Sequence, residues 1–299
     1  GALAGSMILF SSIAHLYRPL HSCLVGILLA LLSNVGLFGV GPNLALLCLL
    51  GALSGLGYGL ILSAAVAVAA AYVRPDRLYA LGNSGSLLLV VALLALLPMA
   101  NTFFGGRGIF LGIAILLVVS MPLVSGFRLS RAGRLPGGVA LDGLSERLPL
   151  VMIWALFSFG TGAIWTFTER IGHGLGLSDQ VIGLILSVSV FLGLAGTSLA
   201  ALSNGRMSRV ASIAIGLLGG GASCLLLAAA GNVVIYAMAA GLYWIFTMYL
   251  YVVLLGTAAA LDPTGRLGTL CTGCERLAFA VSAPIGGLFV DFGSFLWIG

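Results

Sequence analysis

The sequence contains no lysine and very little charge of either sign. Only 7% of its 299 residues are charged, against roughly 25% in an average soluble protein, whereas 61% are hydrophobic. A soluble fold has no interior large enough for that much apolar surface, so the composition excludes a soluble protein and predicts an all-α, polytopic membrane protein. The 44 glycines agree with this prediction, because small residues let helices pack closely in lipid.

The sequence also lacks the signatures of several functional classes. It has no phosphate-binding glycine loop, no nucleophile–base motif and no pair of catalytic carboxylates, which argues against ATP hydrolysis and enzymatic catalysis. Cys271 and Cys274 share a helical face, but no other Cys or His is near them in sequence, so we expect them to pack between helices. The three histidines, His15, His21 and His173, show no metal-ligand spacing. We therefore expect no catalytic residue, no metal and no cofactor.

Nine apolar runs are long enough to cross a bilayer, and we expect an incomplete run at each end of the chain. Ten arginines fall in alternate loops, and only Arg107 and Arg170 fall in the other loops. This bias assigns the long polar loop to the cytoplasm and argues against a nucleic-acid partner, despite the net charge of +5. The predicted spans are 23–40, 43–72, 79–100, 108–127, 149–171, 181–202, 211–230, 233–260 and 265–291.

The long polar loop divides the chain into two hydrophobic halves that resemble each other. Segments 52–82 and 241–271 both contain a long Gly- and aromatic-rich helix, a short turn with Pro and Arg, and a helix of small residues. Arg77 and Arg266 occupy matching positions in the two segments. Parallel halves joined by a cytoplasmic loop are typical of transporters, whose binding site lies between the halves near the midplane. The predicted division is a helical bundle at 1–127, a cytoplasmic loop at 128–148 and a second bundle at 149–299.

Two motifs resemble those of the major facilitator superfamily. The turn LAALSNGRMSR at 199–209 is similar to that family's G-x-x-x-D-x-x-G-R-x-x-R loop between helices eight and nine, although the acidic position is missing. Ser282-Ala-Pro-Ile-Gly-Gly287 resembles the Pro-Gly-Gly signature of helix eleven. The resemblance implies two pseudo-symmetric six-helix bundles, truncated here so that helix one, most of helix two and most of helix twelve are missing. It further implies a cytoplasmic gating loop, to which we assign Gly205, Arg206, Arg209, Arg77 and Arg266.

Glu275 and Arg276 place an acid and a base inside the predicted span 265–291. At about 1.5 Å per residue they lie about 13–15 Å beyond Arg266, near the bilayer midplane. Each charge there costs at least about 2.5–3.5 kcal/mol, so such residues usually face a partner or a wet cavity. Adjacent helical side chains point about 100° apart, so one could reach a transport pathway while the other contacts a neighbouring helix. A site of proton exchange and a static ion pair both stay open.

Glu169 and Arg170 repeat this dipeptide near the outer end of the predicted span 149–171, as an outer gate or as a helix end that reaches water. Cross-pairs of Glu169 with Arg276, or of Glu275 with Arg170, are a hypothesis. Aromatic side chains offer flat apolar contact and one hydrogen-bond donor, which suits a site for an organic solute, although they also serve in packing. The further candidates for the substrate pathway are Trp165, Tyr243, Trp244, Tyr58 and Asn83.

We predict a secondary active transporter that moves a small organic solute by alternating access, with protons as the coupling ion through Glu275. We expect a monomer embedded in the lipid bilayer of a bacterial cytoplasmic (inner) membrane. One alternative is a transporter of the drug/metabolite type, which has about ten helices. The other is a membrane-embedded enzyme for lipid-linked substrates, which would need clustered polar catalytic residues that the sequence does not contain. The sequence names neither the substrate nor the direction of transport.

Overall fold

The computed structural model describes the chain except for residues 14–18, 42, 73, 127–143, 292–294 and 296–299. The described part is helical throughout, and the predicted all-α, polytopic fold class is confirmed. Its helices are α1 (Ala2–Ile13), α2 (Pro19–Gly39), α3 (Leu44–Ala70), α4 (Pro75–Phe104), α5 (Gly108–Gly126), α6 (Leu144–Gly174), α7 (Asp179–Ser203), α8 (Arg209–Ala228), α9 (Val233–Leu261) and α10 (Arg266–Asp291).

Each of the nine predicted spans corresponds to one of the helices α2 to α10. Among the described residues, seven helices are long and apolar enough to cross a membrane, namely α2, α3 and α6 to α10. The largest difference in boundary is at α6, which begins at Leu144 although the sequence predicts a start at Pro149. Pro149 therefore lies in the second turn of α6, where it removes one backbone hydrogen bond within the helix. The predicted partial span at the C-terminus and most of the 128–148 loop lie outside the described residues.

The helices form two compact units, and each unit takes helices from both sides of the 128–148 segment. Unit 1 contains α1, α2, α3, α5 and the first half of α10, whereas unit 2 contains the first half of α4, most of α6, α7, α8, most of α9 and the second half of α10. The units comprise Gly1–Val73, Leu93–Val151 and Ala258–Leu277 for unit 1, and Arg74–Ala92, Met152–Thr257 and Ala278–Gly299 for unit 2.

In unit 1, α3 packs against both α1 and α2, and α2 also packs against α5. The contact between α2 and α3 is made by backbone at Gly26 and Gly57. A Cβ atom on either glycine would lie 2.6 Å from the carbonyl oxygen of the other, so no larger residue fits there. Small residues thus bring these two helices into direct backbone contact, as is common for helices in lipid.

In unit 2, the core lies between α6, α8 and α9. Ile164, Leu227 and Tyr236 are fully buried in this core. The Tyr236 hydroxyl donates to the carbonyl oxygen of Thr168 at 3.1 Å, which satisfies the one polar atom of the ring in the apolar interior. The predicted outer ends of α6 and α9 are therefore held together by both packing and a hydrogen bond.

Candidate functional site

Glu275 and Arg276 differ sharply in exposure. Glu275 is 6% exposed, whereas the side chain of Arg276 is 45% exposed. Glu275 Oε2 lies 3.1 Å from Arg276 Nε, yet this oxygen accepts no hydrogen bond from any described residue. The contact is thus an ion pair without hydrogen-bond geometry, and the Glu275 carboxyl group is desolvated beside one charge of opposite sign.

The face of α10 that precedes Glu275 packs tightly in unit 1. Cys271 and Thr272 are fully buried, and a Cβ atom at Gly273 would lie 2.9 Å from Cγ1 of Ile8 in α1. The Thr272 hydroxyl donates to the carbonyl oxygen of Gly268 at 2.8 Å, within its own helix. Glu275 therefore lies next to a closely packed part of α10. The exposed guanidinium of Arg276 requires water or a polar surface at the predicted membrane depth.

An ion pair connects α4 and α8 at their predicted cytoplasmic ends in unit 2. Asp76, in the first turn of α4, is 5% exposed. Arg209, the first residue of α8, donates from Nη1 and Nη2 to the two carboxylate oxygens at 2.5 and 3.0 Å. Asn204 adds a third hydrogen bond at 2.9 Å, and Gly256 of α9 is in direct contact with the carboxylate. This bidentate pair, with a buried carboxylate and a partly exposed guanidinium, joins a helix of the first sequence half to a helix of the second.

The turn between α7 and α8 carries the motif residues Gly205 and Arg206. Gly205 has φ +77°, a left-handed conformation that glycine adopts at no steric cost. Arg206 is exposed, as is Arg77, so of the predicted gating arginines it is Arg209 that forms the buried pair. Sequence reasoning missed Asp76, although its signal was present, because an acid in the first turn of a helix is favoured by the helix dipole.

The turn between α9 and α10 makes a comparable connection in unit 1. Asp262 is 4% exposed and accepts hydrogen bonds from the backbone of Thr264 and Leu267 at 3.0 and 2.8 Å. It thereby caps the start of α10, where Arg266 is the first helical residue. Gly265, with φ +77°, lies against α3, since a Cβ atom there would be 2.5 Å from Cα of Ala67. Here the second sequence half contacts the first.

Three of the predicted aromatic residues meet in unit 2. The rings of Trp165 and Tyr243 are stacked, with centroids 5.2 Å apart and an interplanar angle of 12°. Trp244 stands at 90° to Trp165, also at 5.2 Å. The Tyr243 hydroxyl donates to the carbonyl oxygen of Thr161, but Nε1 of Trp244 and the hydroxyl of Thr247 are buried without a hydrogen-bond partner among the described residues. Tyr243 is 3% exposed and belongs to the core, so the aromatic surface left for contact is that of the partly buried Trp165 and Trp244. Two unpartnered hydrogen-bonding groups lie on the same helix, of which sequence reasoning missed Thr247.

Tyr58 belongs to a polar network in unit 1. Asn34, buried in α2, donates to Ser54 and to the hydroxyl of Tyr58, both at 3.2 Å. The Asn34 amide also donates to the carbonyl oxygen of Ala30 at 2.7 Å. The sequence predicted Tyr58 as a candidate but gave no indication of its partner Asn34, because that residue lies on a different helix.

Asn83, a predicted pathway candidate, bonds within its own helix. Its side-chain amide donates to the carbonyl oxygen of Tyr79 at 2.8 Å, one turn earlier in α4. The contact between helices is made by the next residue, Ser84, whose hydroxyl shares a hydrogen bond of 2.7 Å with Thr197 of α7. The polar link between α4 and α7 is therefore Ser84 with Thr197.

Glu169 and Arg170 contact different residues at the predicted outer end of α6. The guanidinium of Arg170 lies 5.5 Å above the ring of Phe167. Glu169 Oε1 is 3.8 Å from Nε2 of His173, which in turn lies 3.3 Å from Oδ1 of Asp179 in α7. Glu169 and His173 are four residues apart on α6 and therefore share a helix face.

Long apolar helices that pack through small residues define an integral, multi-pass membrane protein. Solved structures of transporters share its fold. A variant of the fucose:proton symporter of E. coli superposes with a TM-score of 0.75 at 13% identity, over 99% of this chain and 82% of the symporter. A bacterial homologue of the iron transporter ferroportin gives 0.73 at 18% identity, over 99% and 84%. The human organic anion transporter MFSD10 gives 0.58 at 18% identity, over 100% and 83%.

The chain therefore has the fold of the major facilitator superfamily transporters, as its motifs suggested. This result favours the facilitator architecture over the ten-helix drug/metabolite type. No family model matches the sequence, and no curated protein matches it. At identities this low, the similarity concerns the fold and does not identify a substrate.

Proposed function

We propose that the protein is a secondary active transporter that moves a small organic solute across a bacterial cytoplasmic membrane, coupled to protons through Glu275. The fold supports transport, because the structures that share it are described as a fucose:proton symporter, a homologue of an iron transporter and an organic anion transporter. Their solutes differ widely in chemistry, so the substrate class must come from this chain's own residues. The aromatic cluster of Trp165, Tyr243 and Trp244 favours an organic solute.

The observation that carries the coupling proposal is the buried carboxyl group of Glu275 in the middle of α10. Its charged form is held by Arg276 at 3.1 Å, and its neutral form costs far less to bury in an apolar setting than an unpaired carboxylate does. Exchange between these two forms takes up or releases one proton. It also changes the field at the exposed guanidinium of Arg276, through which proton binding can influence the binding of a solute.

Alternating access follows from the contacts between the sequence halves 1–127 and 149–299, which we propose as the two bundles. Asp76 with Arg209, and Gly265 with Ala67, join helices from different halves at their predicted cytoplasmic ends. Release of a solute into the cytoplasm requires these contacts to separate. They are hydrogen bonds and small-residue contacts that can break and reform as units, which suits a reversible gate.

The test uses the full-length protein in proteoliposomes that contain a pH-sensitive dye. A panel of sugars, organic anions and amphiphilic cations is added, and solute-dependent movement of protons identifies the substrate. We expect Glu275→Gln to abolish proton movement while solute-for-solute exchange continues, because exchange needs no change in protonation. The matched control, Asp179→Asn, replaces an exposed acid that is not among the pathway candidates and should retain coupling. Proton-coupled transport that persists in Glu275→Gln would refute the assignment of the coupling site, and no solute-dependent flux of any kind would refute transport.

A further inference from the structure

Three potential metal ligands meet at the predicted outer ends of α6 and α7. The nitrogen or oxygen ligand atoms of Glu169, His173 and Asp179 all lie within 4.8 Å of one another. His173 is at the centre, with its Nε2 3.8 Å from Glu169 Oε1 and 3.3 Å from Asp179 Oδ1. We propose that these three residues form a binding site for a divalent transition-metal ion such as Zn²⁺, separate from the pathway of the transported solute.

The distances suit a metal polyhedron. Ligands about 2.0–2.1 Å from a tetrahedral zinc ion are about 3.3 Å apart, which is the separation of His173 Nε2 and Asp179 Oδ1. Glu169 Oε1 is about half an ångström farther than this from His173 Nε2, and within 4.8 Å of the Asp179 ligand atom, and its side chain is 70% exposed and can rotate closer. Three protein ligands with water in the fourth position form a common open zinc site.

The turn between the helices fixes the third ligand. α6 ends at Gly174 and α7 begins at Asp179, and the short link between them is closed by backbone bonds from Leu175 to Ile171 and from Leu177 to Gly172. Gly176 has φ +74°, which allows the sharp reversal. Leu175 and Leu177 pack against the buried core of unit 2, and this packing holds the backbone of the turn in place. The backbone of Asp179 is thus placed beside His173 before any ion binds, so only side-chain rotamers remain to be ordered on binding.

The ligand set determines the class of ion. Two carboxylates and a neutral imidazole balance the charge of a divalent cation, and Arg170, the nearest cation in sequence, lies against Phe167 instead. An imidazole nitrogen favours zinc and its transition-metal neighbours over Mg²⁺ and Ca²⁺, which prefer oxygen ligands. In the absence of metal, protonated His173 can form ion pairs with both carboxylates. The experiment must therefore distinguish binding of a metal ion from protonation of His173.

The test is calorimetric titration of ZnCl₂ into the purified full-length protein, without a polyhistidine tag, at a pH above about 7.5 where histidine is neutral. The exposed Cys48 is a competing zinc ligand, so every variant carries Cys48→Ser. We expect one zinc ion per chain, and a loss of affinity of about tenfold or more in His173→Gln and in Asp179→Asn. His21→Gln, which removes an exposed histidine of α2, is the matched control and should bind as the parent does.

Titration with MgCl₂ and CaCl₂ should give no comparable signal, and CoCl₂ should give visible absorption bands that disappear in His173→Gln. Thermal unfolding with and without ZnCl₂ provides a second readout, and zinc should raise the Tm of the parent and of His21→Gln alone. The proposal is overturned if the parent binds no zinc, if His173→Gln and Asp179→Asn bind zinc as tightly as the parent, or if Ca²⁺ binds equally well. Because solute transport is not measured, these outcomes are independent of the proposed transport function.

Discussion

The carboxylate of Asp76 accepts hydrogen bonds from both terminal nitrogens of Arg209, at 2.5 and 3.0 Å, although the two residues are on helices from different halves of the sequence. Asp76 is almost completely buried, so its charge depends on this partner and on Asn204. A buried ion pair of this kind is sensitive to the loss of one member, because the remaining charge stays desolvated. It is therefore a specific point at which the proposed cytoplasmic gate can be weakened.

Replacing Arg209 with Gln should destabilise the protein by about 1–3 kcal/mol, because it leaves the buried carboxylate of Asp76 without its charge partner, while the 38% exposure of Arg209 screens part of the interaction. Asp76→Asn should cost less, since a neutral amide can still bond to Asn204. In a double-mutant cycle the combined variant should be more stable than the sum of the single changes predicts. Tm in detergent checks this, and Arg206→Gln, an exposed arginine of the same turn, should have almost no effect. Strictly additive losses would contradict a direct pair.

The glycines of the two cytoplasmic turns allow backbone strain to be separated from steric clash. Gly265 and Gly205 share φ +77°, but a Cβ atom at Gly265 would strike Ala67, whereas nothing lies within 4 Å of one at Gly205. Gly205→Ala should cost about 1–3 kcal/mol from backbone strain alone. Gly265→Ala should cost clearly more and should disturb the contact between α10 and α3.

Chemical or thermal unfolding of these two alanine variants provides the measurement. Gly85→Ala is the control, because Gly85 lies within α4 with nothing within 4 Å of an added Cβ atom and without positive φ. That change should leave stability unchanged or raise it slightly. If Gly265→Ala and Gly205→Ala cost the same, the close contact with Ala67 does not contribute to stability.

Thr247→Val should weaken solute binding without reducing stability, whereas Trp244→Phe should weaken it and also lose part of the ring packing against Trp165. Each removes a buried polar group that lacks a hydrogen-bond partner among the described residues in this conformation, so folding loses no hydrogen bond. If those groups bond to the solute, each change should weaken its binding about tenfold, which corresponds to a lost hydrogen bond. Tyr243→Phe gives the contrast, because it removes the bond to Thr161 and should lower Tm. Unchanged solute affinity in both variants would remove these groups from the binding site.

The sequence was sufficient for the fold because span length, apolar content and the placement of arginine each depend on local composition. The nine predicted spans thus match α2 to α10 within a few residues, except at α6. The sequence was not sufficient to predict the contacts between helices. Asp76 is important because its partners lie on other helices, and Thr247 because its hydroxyl has no hydrogen-bond partner among the described residues. Glu169-x-x-x-His173 was visible in the sequence, but its third potential ligand, Asp179, is brought near by the turn between α6 and α7.

Glu275 and Arg276 provide the test that separates a coupling site from a static pair. Arg276→Gln should destabilise the protein more than Glu275→Gln, because it leaves a buried carboxylate uncompensated, whereas the half-exposed guanidinium of Arg276 is solvated when Glu275 is neutral. The double variant should recover most of this stability in a thermal unfolding assay. If the pair only fixes helix packing, the double variant should also recover proton-coupled transport. If Glu275 carries the proton, the double variant should fold well and exchange solute, yet remain uncoupled from the proton gradient.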